Sequence, residues 1–270
     1  MTPNLMPFIW VAIAIPILLL IQRWIHTHLH GLSLLLMGKS ERAVVLYALV
    51  LLPGVMLHEL SHWLMAGLLG VKTGTLSLIP QKQEDGTIQL GYVEYYKGRT
   101  LGPFRESLIG GAPLLAGTAV ILLISFKIFS VTNLAAAIQT GQIDALTLAL
   151  GEVFQTNDFL VWLYLLFAVS NAMMPSASDR RAWPAFIWTM TILGGILYAL
   201  GLTQAVINGL AGPMATVFGY LGTALSMAIG VDLVFMIVIS LLETIVSRIR
   251  GVSVVYSSVD APPDSKQMVL

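Results

Sequence analysis

The chain contains no cysteine, which excludes disulfides, thiol nucleophiles and thiolate metal ligands. Charge is scarce as well. Only 10% of the 270 residues are Asp, Glu, Lys or Arg, against about 25% in an ordinary soluble domain. The two signs balance at 14 each, so no excess positive charge exists to draw a nucleic acid partner. Histidine is limited to five positions, so any metal must be held by a few imidazoles together with carboxylates.

Apolar sequence is what abounds. Hydrophobic residues make up 57% of the chain, and the mean hydropathy is +0.84. No soluble fold of this size hides so much apolar surface, and the lipid bilayer is the medium this composition fits. The pattern predicts an all-α polytopic membrane protein of about six transmembrane helices with a small membrane-surface β-segment. The expected spans are Leu5 to Ile21, Ala43 to Leu69, Leu108 to Phe129, Phe159 to Met174, Ala185 to Val206 and Thr216 to Val246. The first lacks a basic leader and a small-residue cleavage site, and reads as a retained helix. The sixth is too long for a straight crossing, which implies tilt or extension beyond the bilayer.

Between these runs, Arg23 to Arg42 reads as a short polar stretch, with His26, His28 and His30 just after the first span. That trio reads as an interfacial polar cluster or a second metal site. Leu134 to Phe154 reads as a loop with an amphipathic piece, and Gly110-Gly111-Ala112-Pro113 as the opening of the third span. Residues 72–106 crowd together Lys72, Lys82, Glu84, Asp85, Glu94, Lys97, Arg99, Arg105 and Glu106. Strand formers lie on both sides of Asp85-Gly86, a hairpin turn signal. Residues 1–250 thus form one membrane-embedded domain with a β-segment at about 72–100. Residues 251–270, polar and carrying Pro262-Pro263, form a tail expected to be disordered. Six spans put both termini on one side. With that side cytoplasmic, the inner loops carry Lys72, Lys82, Lys97, Arg99, Arg105, Arg180, Arg181, Arg248, Arg250 and Lys266. The outer loops keep Arg23, Lys39, Arg42 and Lys127, in the sense of the positive-inside rule.

One motif stands out. His58-Glu59-Leu60-Ser61-His62 places two imidazoles four residues apart on one helix face, where they can grip a single zinc ion. Glu59 lies next to that face, in reach of a water as general base. Zinc lowers the pKa of such a water to about 7 and polarises a carbonyl. Chance supplies roughly 0.002 copies of this pattern in a chain of this composition. A structural role for the polar residues is disfavoured, because a charge at mid-span costs about 2.5–3.5 kcal/mol.

A tetrahedral zinc with one open position needs a third protein ligand. Asp179 is the candidate, just beyond Pro175 where a span ends; the alternative is an ion pair with Arg180 or Arg181.

These residues resemble the site-2 protease family of intramembrane zinc metalloproteases. The carriers are His58-Glu59-Leu60-Ser61-His62 running on to Ala66, Gly67, Gly70 and Val71, and an Asn eight residues before an Asp, here Asn171 and Asp179. Gly91-Tyr92 and the order of elements over about residues 43–181 add to it. The sequence departs from the family pattern in placing Pro175 four residues after Asn171 and Arg180-Arg181 after Asp179. The resemblance implies one zinc ion on His58, His62 and Asp179, with Glu59 as the catalytic base. It implies Asn171 as a substrate-orienting hydrogen-bonder, the alternative being a helix cap or an interhelical bond. The implied activity is cleavage of a membrane-protein substrate in or near its transmembrane segment, in the cell membrane. Neither the particular substrate nor the oligomeric state is legible. The rival class is a transporter or channel, for which Asp232 in the sixth span is the motivating feature. Intramembrane serine and aspartyl proteases are disfavoured, since no Gly-x-Ser-Gly or Gly-x-Gly-Asp occurs.

Overall fold

The computed structural model describes residues 5–77, 81–82, 88–89, 91–95, 102–256 and 267–269. Among these the protein is all-helical apart from short strand pairs. Five helical segments are long and apolar enough to cross a membrane: Met6–Met37, Ser40–Leu68, Pro103–Ile128, Asp179–Ala199 and Thr203–Arg250. A sixth is reached only if Ile143–Phe154 and Phe159–Ser170, which meet at 87°, count as one bent span.

Helix α1 (Met6–Met37) runs straight through the stretch expected to be a polar connection. Gln22, Ile25, Leu29 and Leu32 fall three or four residues apart and are all buried, so the helix keeps a core-facing stripe there. Gln22, His26 and His28 find partners instead of ending the helix. Gln22 donates to the Ser170 carbonyl, and His28 meets Glu243 at 2.8 Å. The three histidines therefore sit on α1 itself and do not converge on a common point. The helix stops at Gly38, left-handed at φ 69°, whose N–H caps the Leu34 carbonyl. With only Gly38 and Lys39 as connection, α2 (Ser40–Leu68) returns antiparallel.

Helix α3 (Pro103–Leu123) opens at Gly102-Pro103, because proline is favoured in a first turn. The expected opening at Gly110 to Pro113 lies inside it. It continues as a π-helical turn over Ile124–Ile128. The predicted loop after it is instead two helices, α4 (Val131–Thr140) and α5 (Ile143–Phe154). Helix α6 (Phe159–Ser170) is shorter than the expected span to Met174. Its 12 residues rise about 18 Å, well short of a 30 Å hydrocarbon core. A 3₁₀ turn, Asp179–Ala182, leads into α7 (Trp183–Ala199). Gly201, at φ 70°, then separates α7 from α8 (Thr203–Arg250). The last helix thus begins well before the expected Thr216.

Helices α1 and α8 lie side by side in parallel. Phe8 meets Phe218, the Trp10 indole donates to Ser226 Oγ at 2.9 Å, and Arg250 donates to the Leu35 carbonyl. Helix α6 runs parallel to α2, with the Tyr164 hydroxyl donating to the Val50 carbonyl at 3.0 Å. Gly54 makes the close approach possible, since a Cβ there would lie 1.8 Å from the Ala168 carbonyl oxygen. Leu18, Ile25, Leu51, Ile121, Phe167 and Leu225 fill the space between these helices. Large apolar side chains such as Leu20, Leu68, Leu160 and Ile249 point outward, as a lipid-facing surface requires.

Strand β1 (Thr73–Ser77) pairs antiparallel with β4 (Tyr92–Tyr95), with Leu76 opposite Val93. Strands β2 (Gln81–Lys82) and β3 (Ile88–Gln89) pair inside this hairpin, and the predicted Asp85-Gly86 turn lies outside the described residues. In the tail, expected to be disordered, β5 (Ser253–Val255) pairs in parallel with β6 (Gln267–Val269). Tyr256 fastens that tail to α8 by donating to Glu243. Burial, and then the adjoining carboxylate, hold its hydroxyl above the usual phenol range.

Candidate metal centre

His58, Glu59 and His62 lie in the last third of α2, where the helix packs against both α3 and the end of α6. Nδ1 of His58 donates to the Ala172 carbonyl at 2.6 Å, and Nδ1 of His62 donates to the Ile109 carbonyl at 2.8 Å. A backbone carbonyl has no proton to give, so each Nδ1 must carry its own. In a neutral imidazole the other nitrogen is then a bare lone pair. The two Nε2 atoms face each other at 3.1 Å.

Asp179 reaches them from the other side of the sequence. Helix α6 ends at Ser170, and the chain runs non-helically through Met173 to Ser176 around Pro175. Residues Ser176 and Asp179 then close a reciprocal pair. The Ser176 N–H donates to Asp179 Oδ2 at 2.7 Å, and the Asp179 N–H donates to Ser176 Oγ at 3.3 Å. This is the capping-box arrangement, which fixes both backbone and carboxylate. The carboxylate oxygens stand 3.4 Å from His58 Nε2 and 3.3 Å from His62 Nε2. Arg180 turns away and donates to the Ser176 carbonyl. The structure thus joins Asp179 to the histidines rather than to Arg180. Gly110 of α3 supports the arrangement from behind, since a Cβ there would lie 2.0 Å from the Asp179 carbonyl oxygen.

His58, His62 and Asp179 each offer one ligand atom, and these atoms all lie within 4.8 Å of one another. Among the described residues they are the one such group of three or more His, Asp or Glu side chains. With both imidazoles neutral, the cluster offers three lone-pair donors of both nitrogen and oxygen type, a set that fits a divalent cation. Glu59 shares a cavity of about 320 Å³ with this cluster, lined also by Tyr92, Val93, Ser176 and Ser178.

Asn171 is not part of that cluster. It is buried at the end of α6, where its amide donates to Asp232 Oδ1 at 2.9 Å. Ser170 donates to the same oxygen at 2.5 Å. Asp232 is fully buried and forms an interhelical brace with α6, one residue before the carbonyl that holds His58. The carbonyls of Ile109 and Ala172 could not be picked from sequence, because any residue supplies one. Ser176-Ala177-Ser178-Asp179, in contrast, is a legible Ser-x-x-Asp pattern.

Comparison with known proteins returns no match: no family model, no curated protein and no solved structure matches the chain.

Proposed function

We infer that this membrane protein is a zinc-dependent intramembrane endopeptidase similar to the site-2 protease family. It would hydrolyse a peptide bond in or near the transmembrane segment of a membrane-protein substrate. One observation carries the reading. The Nε2 nitrogens of two imidazoles and a carboxylate converge beside Glu59, on helices apolar enough to lie in a bilayer.

His58, His62 and Asp179 would hold the ion, one protein ligand short of a closed tetrahedron. A bound zinc supplies positive charge that polarises the scissile carbonyl and acidifies a water. Glu59 takes the proton from the attacking water and passes it to the leaving amine. The Ala172 and Ile109 carbonyls keep both imidazoles in the ligating tautomer, and the Ser176 N–H keeps the carboxylate aimed.

A helical substrate hides its carbonyls and must unwind before attack. Tyr92 and Val93 of β4 line the cavity that holds Glu59, and among the described residues β4 pairs with β1 alone. Its other edge suits an extended segment added as a further strand. Metal analysis of the purified chain, together with cleavage of a single-span membrane peptide by wild type and Glu59→Gln, tests the reading. Zinc in both and cleavage only by wild type is the expected result.

A further inference from the structure

The carbonyls of Ser170, Asn171 and Ala172, where α6 ends, have each lost the helical donor four residues on. Met174, the residue before a proline, lies outside the helix. Pro175 has no N–H to give, and the Ser176 N–H is spent on Asp179 Oδ2. Among the described residues no backbone N–H reaches any of the three carbonyls. Carbonyls at a packed helix end need donors from elsewhere.

Three side chains supply those donors, in order along the chain. Gln22 Nε2 donates to the Ser170 carbonyl at 2.5 Å, the His26 ring donates to the Asn171 carbonyl, and His58 Nδ1 donates to the Ala172 carbonyl at 2.6 Å. Gln22 and His26 lie four residues apart on α1, so one face of that helix grips two successive carbonyls. The Tyr47 hydroxyl, 2.7 Å from His26 Nδ1, steadies the ring. Asp232 of α8 takes the Ser170 and Asn171 side chains, so the same turn is gripped from a second helix. Of the three donors only His58 belongs to the metal cluster.

Resting on the peptidase reading and its metal centre, we propose that Gln22 and His26 are positioning residues of that centre, acting through the end of α6. They hold Ser170 and Asn171 so that the next carbonyl, that of Ala172, stands opposite His58 Nδ1. That carbonyl keeps the His58 proton on Nδ1 and leaves Nε2 free for the ion. With either donor removed, a carbonyl at the packed helix end is left bare, the turn shifts toward another partner, and the His58 ring follows. Both residues lie on α1, outside the stretch 43–181 that carries the family resemblance. His28 supplies the contrast, since it sits on the same helix but is bonded to Glu243 of α8 at 2.8 Å.

The test compares purified full-length wild type with Gln22→Leu, His26→Phe, His26→Gln and His28→Phe. Zinc affinity is read by competition with a chelator, and ligand geometry by the visible absorption of the cobalt-substituted protein. Turnover of a single-span peptide is measured alongside. Gln22→Leu and His26→Phe should each bind zinc about tenfold more weakly, the low end for groups that orient metal ligands, and should alter the cobalt spectrum. His26→Gln keeps an N–H for the carbonyl and should recover both. His28→Phe should change neither, whatever its thermal stability. His26 is partly exposed, so His26→Phe decides the matter should Gln22→Leu fail to fold. Wild-type affinity and spectrum in His26→Phe, no recovery in His26→Gln, or equal weakening in His28→Phe overturns the positioning role. Zinc-loaded wild type without Glu59-dependent cleavage overturns the peptidase reading alone. A wild type that binds neither zinc nor cobalt overturns both.

Discussion

His58 and His62 turn their Nε2 atoms toward each other at 3.1 Å, while the opposite nitrogen of each ring is held by a carbonyl of a different helix or helix end. Two lone pairs so placed repel unless a proton or a metal ion lies between them, and the nearby Asp179 carboxylate makes a third donor for a metal. Removing the metal with a strong chelator should therefore abolish cleavage, and added zinc should restore it. His58→Ala and His62→Ala should each lose both zinc and activity, read by elemental analysis and peptide cleavage. A His62→Ala protein that keeps stoichiometric zinc would remove this site as the metal centre.

Glu59 occupies the same cavity wall but is not among the three converging ligands. Glu59→Gln keeps the shape and removes the base. Zinc occupancy should stay at the wild-type level while the cleavage rate falls by about 10²–10⁴, the range for loss of a positioned proton acceptor. Wild-type turnover in Glu59→Gln would sink the mechanism.

The site was more legible than the helices that carry it. The His-Glu-x-x-His spacing is a local fact of helix geometry, and Pro175 marks where the chain must leave a helix to bring Asp179 back. Helix ends depend on tertiary partners instead. Gln22, His26 and His28 look like the start of a polar connection, yet each is satisfied across the bundle, so α1 continues to Met37. In the same way, residues 134–154 read as a loop with an amphipathic piece, whereas only Gly141, at φ 65°, and Gln142 separate the two helices found there. Gly110 and Gly111 look equivalent in sequence, and packing alone tells them apart.

That difference between the two glycines is testable. A Cβ at Gly110 would meet the Asp179 carbonyl oxygen at 2.0 Å, whereas at Gly111 nothing lies within 4 Å. Both changes to alanine favour the helix by roughly 1 kcal/mol. Gly110→Ala should lower zinc occupancy by pushing the Asp179 segment away, and Gly111→Ala should leave occupancy unchanged and raise thermal stability slightly. Equal zinc content in the two variants would mean the Asp179 segment is not seated against α3.

The loop from Val71 to Ser107 is proposed to face the cytoplasm, since it carries Lys72, Lys82, Lys97, Arg99 and Arg105. The expected ten-to-four distribution does not survive the fold. Arg250 reaches the Leu35 carbonyl at the C-terminal end of α1, which puts Arg248 and Arg250 at the Lys39 and Arg42 end, and the start of α1 and the end of α8 on opposite sides. The chain lacks cysteine, so single-cysteine labelling needs no background mutations. Lys82→Cys should resist an impermeant thiol reagent in intact cells and react after lysis. Labelling from outside intact cells would reverse the orientation.

Two aspartates, the partly exposed Asp179 and the buried Asp232, compete for the third ligand position, and the structure separates them. Asp179 lies 3.3–3.4 Å from both Nε2 atoms. Asp232 instead accepts from Ser170 and Asn171 and belongs to no ligand group among the described residues. Asp179→Ala should therefore lose zinc and all activity. Asp232→Ala should keep zinc but destabilise the protein by about 1–3 kcal/mol, because two buried donors lose their acceptor. Asp232→Asn retains an acceptor oxygen for both donors and should recover most of that loss. A channel or transporter whose ion path needs the Asp232 charge would behave differently, since the asparagine variant would then be as impaired as the alanine one in a liposome flux assay. Full zinc occupancy in Asp179→Ala, with loss in Asp232→Ala, would move the third ligand to α8.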